Sequence, residues 1–408
     1  MKSKNGAYDK SKFFLKINQA LWRNPFLQKL RAVYYFIDVC ILKTVKKPKP
    51  QSEKKKSVLV MYNLALGDGI MFLGIHKALR NIYPSDKYRL SIVCQSPFVS
   101  LYKSSGIYDE VIGLDFMSAT VNLRKRRILF QRLRQKYYDI LIDPIGCEAC
   151  TTNVFATAAV CATEKIGAID VNLPLIQTPK WIRKKVYTRV IEIKNEKPLH
   201  LIQFYNEFFK KLGNKNGKEG LAEIKKTDLH FNVPEKFFII FPAASMAVKS
   251  WSCENFAELA LKIQKETNMP LVVCGTEHDR PKIQEMLKNA KGINYIDYVG
   301  KTTIPEFIEL IGRASLVLTN DTSAYHIAVA KQVLTFLICG GYTYDRYANY
   351  NYHNYKKPHL ICYKMDCYNC NNFCEYTGFD RFPCIENITV DYAWKEIYTT
   401  IKNEGLIK

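Results

Sequence analysis

Three short stretches place residues able to handle protons, anions or metals at the ends of strand-like runs. The first is LGDGIMFLGIHKALRNIYP, residues 66–84, where a carboxylate stands between two glycines. Asp68 is a general base if it points at a hydroxyl, and a helix cap if it does not. Gly67 and Gly69 allow close backbone approach and positive φ. The second stretch is FPAASMAVKSWSCENFAELA, residues 241–260. Small residues, Ala243, Ala244 and Ser245, leave backbone N–H groups exposed, and Lys249 adds a point charge that suits a diphosphate. A lysine on an open surface is the alternative. The third is LVLTNDTSAYHIAVA, residues 316–330. Asp321 can bond sugar hydroxyls, and Thr322 and Ser323 open a helix whose unpaired N–H groups attract anions. His326 lies one turn further on, either in the site or packed in the core.

Two more groups carry chemistry. Cys367, Cys370, Cys374 and Cys384 are spaced C-x2-C-x3-C-x9-C. That spacing is compatible with a structural zinc site, with disulfides, or with plain thiols. A basic run holds Arg124, Lys125, Arg126, Arg127, Arg132, Arg134 and Lys136. It is either a wall for an anionic ligand or a solvated helix face.

The elements that must position these groups alternate. From residue 57, SVLVMY, RLSIVC, DEVIGLD and YDILIDP read as strands separated by helical patterns. NKNGKEG reads as a linker, and the alternation then restarts through KFFIIF, PLVVCG, INYIDYVG, SLVLTND and VLTFLICGG. Strand–helix alternation predicts parallel βαβ units, here an α/β chain of two doubly wound, Rossmann-like halves. The expected domains are a basic extension at 1–56, an N-terminal Rossmann-like domain at 57–215 and a C-terminal one at 216–408. Ligands bind such sheets at the carboxyl ends of the strands, so the cleft between the halves is the expected site.

Charge narrows the partners. The 408 residues carry a formal net charge of +22, and residues 1–56 hold 15 Lys and Arg against 3 Asp and Glu. An anionic partner is implied: nucleic acid, an acidic membrane surface or a phosphorylated substrate. Phe26, Leu30, Val33, Tyr34, Ile37 and Ile41 recur at helical spacing. They predict a helix lying on a membrane surface or on the protein's own body. No signal peptide and no spanning helix are expected, because Asp38 interrupts an apolar stretch already too short. That places the chain in the cytoplasm, with most of its 13 cysteines reduced.

In this order, the three stretches resemble glycosyltransferase family 9, the bacterial lipopolysaccharide heptosyltransferases. That family has a Gly-Asp turn leading into a helix that ends at proline. It has a small-residue turn followed by Lys-x-Trp, and a late Asp-Thr-Gly-x-x-His signature, seen here as DTSAYH. The resemblance covers roughly residues 57–403. It implies a GT-B fold and metal-independent, inverting transfer from a nucleotide-diphosphate sugar, typically ADP-heptose. Asp68 matches the general base, Lys249 the donor-phosphate lysine, and Asp321 the donor-sugar aspartate. Thr322 and Ser323 match the phosphate-binding helix start, and His326 the signature histidine. Ser245 lies in the donor-binding turn. Ser323 stands where the family has glycine, which bears on donor identity.

No Asp-x-Asp metal clamp is present, so cations and a helix dipole must neutralise the leaving diphosphate. The first half binds acceptor in this family, so Gly67, Gly69, Arg124, Arg126 and Arg127 are the acceptor-side candidates. The acceptor is then an anionic glycolipid at the inner face of the cytoplasmic membrane, with no cofactor needed for catalysis. Two other classes compete: a catalytically idle sugar-nucleotide or glycolipid binder, and a basic nucleic-acid-associated protein. Against the latter, no zinc finger, RRM or helix-turn-helix pattern occurs.

Overall fold

The computed structural model describes residues 35–50, 54–145, 151–172, 178–215, 217–244, 246–351, 355–370, 374, 376 and 381–407, with backbone only at 120–121, 151–153 and 247. Ser245, Phe26, Leu30, Val33 and Tyr34 lie outside the described residues.

Two six-stranded sheets organise the chain. The first holds β1 (Lys56–Met61), β2 (Tyr88–Gln95), β3 (Glu110–Leu114), β4 (Tyr137–Asp143), β5 (Cys161–Asp170) and β6 (Arg189–Ile193), in the order 3-2-1-4-5-6. The second holds β7 (Phe238–Phe241), β8 (Leu271–Gly275), β9 (Tyr295–Val299), β10 (Leu316–Asn320), β11 (Leu334–Cys339) and β12 (His359–Cys362), in the order 9-8-7-10-11-12. Both orders are the same doubly wound pattern, and every strand pair is parallel. Helices cover both faces of such sheets, so central strands read as unbroken apolar runs. FIIF of β7 and LVLTN of β10 are buried at every position.

Nine of these strands follow the sequence reading; β5, β6 and β12 do not. CATEKIGAID of β5 opens with polar residues and buries only its last five. RVIEI and HLIC are short edge strands with little apolar signal.

The chain packs as two compact units. The first contains residues through Leu64, His76–Pro198 and Phe204–Lys218; the second contains Ala65–Ile75, Leu199–Gln203 and everything from Glu219. The break near residue 218 falls within the linker read from sequence. The segment carrying Asp68 is different: it packs with the second unit, though it follows a strand of the first.

Within the first unit, a helix through residues 35–43 lies on the protein's own body. Its Asp38 carboxylate meets the Arg126 guanidinium at 2.8 Å, with both side chains almost wholly buried. Arg134 donates to the carbonyls of Leu42 (2.5 Å), Val45 (2.9 Å) and Ala159 (3.0 Å). Burial pushes the Asp38 carboxyl up to about 7 against the opposing pull of Arg126. Arg126 is therefore not an acceptor-facing residue: it is buried to neutralise Asp38, with its guanidinium 4.9 Å from the centre of the Phe155 ring. No helix among the described residues is long and apolar enough to cross a membrane.

Removing one member of a buried ion pair leaves the other uncompensated, at about 3–5 kcal/mol. Arg126→Ala should lose that much stability in urea unfolding, and Arg126→Met combined with Asp38→Leu should recover most of it.

Candidate functional site

In the doubly wound order of the second sheet, the topological switch lies between β7 and β10, and ligands bind outside the carboxyl ends of the strands there. The chain leaving β7 supplies Ala243, Ala244 and Lys249; the chain leaving β10 supplies Asp321, Thr322, Ser323 and His326. A pocket of about 490 Å³ is lined by all of these, together with Gly67 and Asp68. Every lining residue belongs to the second unit.

Asn320 holds the two loops together. It is fully buried at the end of β10. Its side-chain amide donates to the Pro242 carbonyl (2.8 Å) and its oxygen accepts from the Trp251 N–H (3.1 Å). Trp251 is itself buried, and its indole N–H donates to the Ile388 carbonyl at 2.9 Å. The tryptophan of Lys-x-Trp is thus an anchor that fixes the loop bearing Lys249. Ser252 caps the following helix, Cys253–Thr267, by accepting the Asn255 N–H.

Lys249 reaches from a 3-10 turn to Asp321 at 3.0 Å. Burial would raise the Asp321 carboxyl, but Lys249, His326 and a hydrogen bond from Thr343 outweigh it and hold Asp321 below the usual range. His326 is buried, its Nδ1 2.9 Å from the Tyr350 hydroxyl. Burial lowers the imidazole to about 4, so it is neutral near pH 7. Its 3.9 Å approach to Asp321 is then a dipolar contact rather than an ion pair.

Asp68 occupies the third position of the helix Leu66–Leu73, whose cap is Ala65 with no side-chain cap bond. It is therefore not the helix cap. Its two glycine neighbours have ordinary negative φ, so positive φ is not their purpose. A Cβ on Gly67 would lie 2.8 Å from the His326 ring, and this is why the Asp68 turn can sit against the His326 helix, Ser323–Ala330. The helix expected to run on to Pro84 stops at Gly74, where a Cβ would meet the Gly220 carbonyl oxygen at 2.3 Å.

Burial pushes the Asp68 carboxyl up to about 6, and the Asp321 charge adds to the rise; Lys249, its own backbone N–H and Arg346 oppose it. A base whose affinity for protons lies near neutrality is suited to taking a proton from a hydroxyl.

Several residues of this site carried no sequence signal that was read. Tyr342, Thr343 and Tyr347 line the pocket, and Arg346 is fully buried with Nη1 donating to the Leu199 carbonyl at 3.1 Å. They follow the Gly340-Gly341 turn after β11, where an aromatic and charged run beside two glycines was the available cue. His278 and Asp279, after β8, also line the pocket.

Other expected residues lie elsewhere. Gly69 is buried in its helix and does not line the pocket. Arg124 and Arg127 are exposed on the helix Leu123–Leu133 of the first unit. Among the described residues, no group of three or more His, Cys, Asp or Glu is placed to hold a metal ion, although the four cysteines lie near enough to perturb one another. Cys370 bonds the Cys374 thiol instead, and Cys384 is tucked under Gly340. No disulfide joins any of the four. This segment buttresses the pocket: Phe382 stacks on Tyr342 at 5.1 Å and its N–H donates to the Val248 carbonyl.

Two Rossmann-like parallel sheets with an anion-ready pocket at a switch point are the architecture of GT-B glycosyltransferases. The family model for glycosyltransferase family 9 (heptosyltransferase) matches residues 126–337. The chain belongs to that family. It is similar to the lipopolysaccharide core heptosyltransferase OpsX of Haemophilus influenzae, with 29% identity over 110 residues, 27% of this chain and 31% of that protein. The match therefore spans about a third of that relative's length. Among solved structures, a glycosyltransferase family 9 protein of Veillonella parvula superposes with a TM-score of 0.66 at 14% identity, covering 87% of this chain and all of that one. The E. coli ADP-heptose lps heptosyltransferase II gives 0.60 at 13% identity, covering 86% and 99%. E. coli heptosyltransferase WaaC with ADP-2-deoxy-2-fluoro heptose gives 0.58 at 16%, covering 84% and 99%. At these identities the likeness establishes the fold.

Two outcomes test the site. Gly67→Ala should displace His326 or the Asp68 turn, costing about 1–3 kcal/mol in thermal unfolding and more than tenfold in turnover. Asp68→Asn should stabilise the fold. The folded-state value near 6 lies above the ordinary 3.8. Ionised Asp68 therefore costs the fold about 3 kcal/mol above pH 6 and nothing below about pH 4. Calorimetry should show a gain in Tm near pH 8 that shrinks as the pH falls.

Proposed function

We propose that the protein transfers a sugar from a nucleotide-diphosphate donor, heptose from ADP-heptose, to an anionic lipopolysaccharide-core glycolipid, with inversion and without a catalytic metal. The observation that carries this reading is the shared pocket of Asp68, Lys249 and the Thr322–Ser323 helix start, one proton acceptor beside one anion site. Family membership supports the reaction class. The ADP-sugar in the WaaC structure supports the donor.

The donor diphosphate lies against Lys249 and the N–H groups at Thr322 and Ser323. To meet it, the Lys249 ammonium shifts from Asp321 to the phosphate oxygens. Asp321 is thereby released to accept hydrogen bonds from the sugar hydroxyls. Asp68 takes the proton of the acceptor hydroxyl as its oxygen attacks the anomeric carbon. The bond from that carbon to the phosphate oxygen breaks on the opposite side, and the leaving diphosphate keeps the electron pair. Lys249 and the helix dipole stabilise that charge where it develops. The protein works peripherally at the inner face of the cytoplasmic membrane.

Asp68→Ala and Lys249→Met separate the roles in an assay with ADP-heptose and an acceptor. Asp68→Ala should lower kcat by at least a hundredfold with donor affinity retained. Lys249→Met should weaken donor binding as well. Unchanged turnover in Asp68→Ala would refute the base assignment.

A further inference from the structure

The first unit carries a surface that the transfer chemistry does not use. It is built from residues 35–50, the helix Leu123–Leu133 and the helix Lys180–Val186. These segments pack on one core that includes Tyr35, Val45, Leu129, Phe130, Ile182 and Val186, so their outer sides are neighbours. Direct contacts join them. Tyr35 meets Trp181 edge-on at 5.5 Å, Asp38 holds Arg126, and Arg127 donates to the Thr44 hydroxyl at 3.2 Å.

The charge on this surface is predominantly positive, with exposed Asp115 at its edge, where it feels the Lys125 charge. Lys43, Arg124, Lys125, Arg132, Lys180 and Lys184 are exposed. Residues 35–50, 116–136 and 178–189 contain a single acid, Asp38, and it is buried. Large apolar side chains stand exposed among the cations: Phe36 at 64%, Leu123 and Ile128 at 51%, and Trp181 at 42%. The Lys185 ammonium lies 5.6 Å from the Trp181 ring centre.

We propose that this face docks on an anionic lipid bilayer, with Trp181 and Phe36 seated at headgroup depth and the lysines and arginines on lipid phosphates. Tryptophan beside lysine and arginine is the composition that favours a bilayer interface, where an amphipathic ring and cationic heads are both satisfied. A nucleic acid would use the cations but leave Leu123 and Ile128 without a role. A second copy of the same face would set cation against cation. A cleft of about 370 Å³ lined by Lys46, Lys47, Gln131 and Arg134 adjoins the face and gives a lipid phosphate a seat. The Asp38–Arg126 ion pair and the hydrogen bonds that Arg134 donates to the Leu42 and Val45 carbonyls fix the segment from residue 35 to 45 as part of a rigid platform rather than as a free anchor.

The proposal deepens the glycolipid reading, and only its biological purpose rests on that reading. Co-sedimentation of the full chain with phosphatidylcholine vesicles, with and without phosphatidylglycerol, uses neither donor nor acceptor, so either idea can fail alone. Wild type should bind only the anionic vesicles. Each lysine removed should weaken partitioning about fivefold, so Lys180→Gln/Lys184→Gln/Lys185→Gln should lose on the order of a hundredfold. Trp181→Ala should bind less at a temperature well below its own Tm, where the protein stays folded despite the lost packing on Tyr35. The control Lys288→Gln/Lys291→Gln, on exposed lysines of the second unit, should bind as wild type does. Equal loss in the control, wild-type binding by the triple variant, or preference for a duplex oligonucleotide over vesicles would overturn the proposal.

Discussion

Of the three aspartates that line the pocket, Asp68 and Asp321 feel each other's charge while Lys249 pairs with Asp321, and most of the site follows from that imbalance. Lys249 pairs with Asp321 and holds it ionised. Asp68 is left with desolvation and a like charge, and its proton affinity rises. One environment thus separates two chemically identical groups into a fixed anion and a base near neutrality. Lys249, the backbone N–H of Asp68 and, last, the buried Arg346 keep the rise moderate. An ionised, desolvated base is a stability cost retained at the place where chemistry needs it.

The backbone arrangement serves this electrostatic one. Gly67 brings the Asp68 turn against the His326 helix at a distance no side chain would allow. Asn320 ties the loop bearing Lys249 to the turn bearing Asp321, so their 3.0 Å contact is set by the sheet and not by chance rotamers. The base and the anion site lie in one compact unit. Their spacing is therefore a property of that unit's packing.

The α/β class, both Rossmann-like halves and nine of twelve strands were legible because central parallel strands are continuous apolar runs. The edge strands β6 and β12, and the half-polar β5, lack that signal. The pocket's charged residues were legible through three stretches at strand ends. Their surroundings were not, because Tyr342, Thr343 and Arg346 act through long-range packing that local spacing does not encode. Arg126 shows the opposite failure. A basic run looks uniform in sequence, yet tertiary structure buries Arg126 and Arg134 and exposes Arg124 and Arg127. The cysteine spacing likewise permitted a metal site that the described residues do not form.

The assignment of Asp68 as the base is tested most directly by the pH dependence of kcat/KM for wild-type transfer from ADP-heptose. That parameter reports the ionisation of the free protein. An acid limb of unit slope with its midpoint near 6 is expected, from the carboxyl that burial and Asp321 push up. A profile that stays flat down to the ordinary carboxylate range would show that no such raised base takes part, and would contradict the assignment.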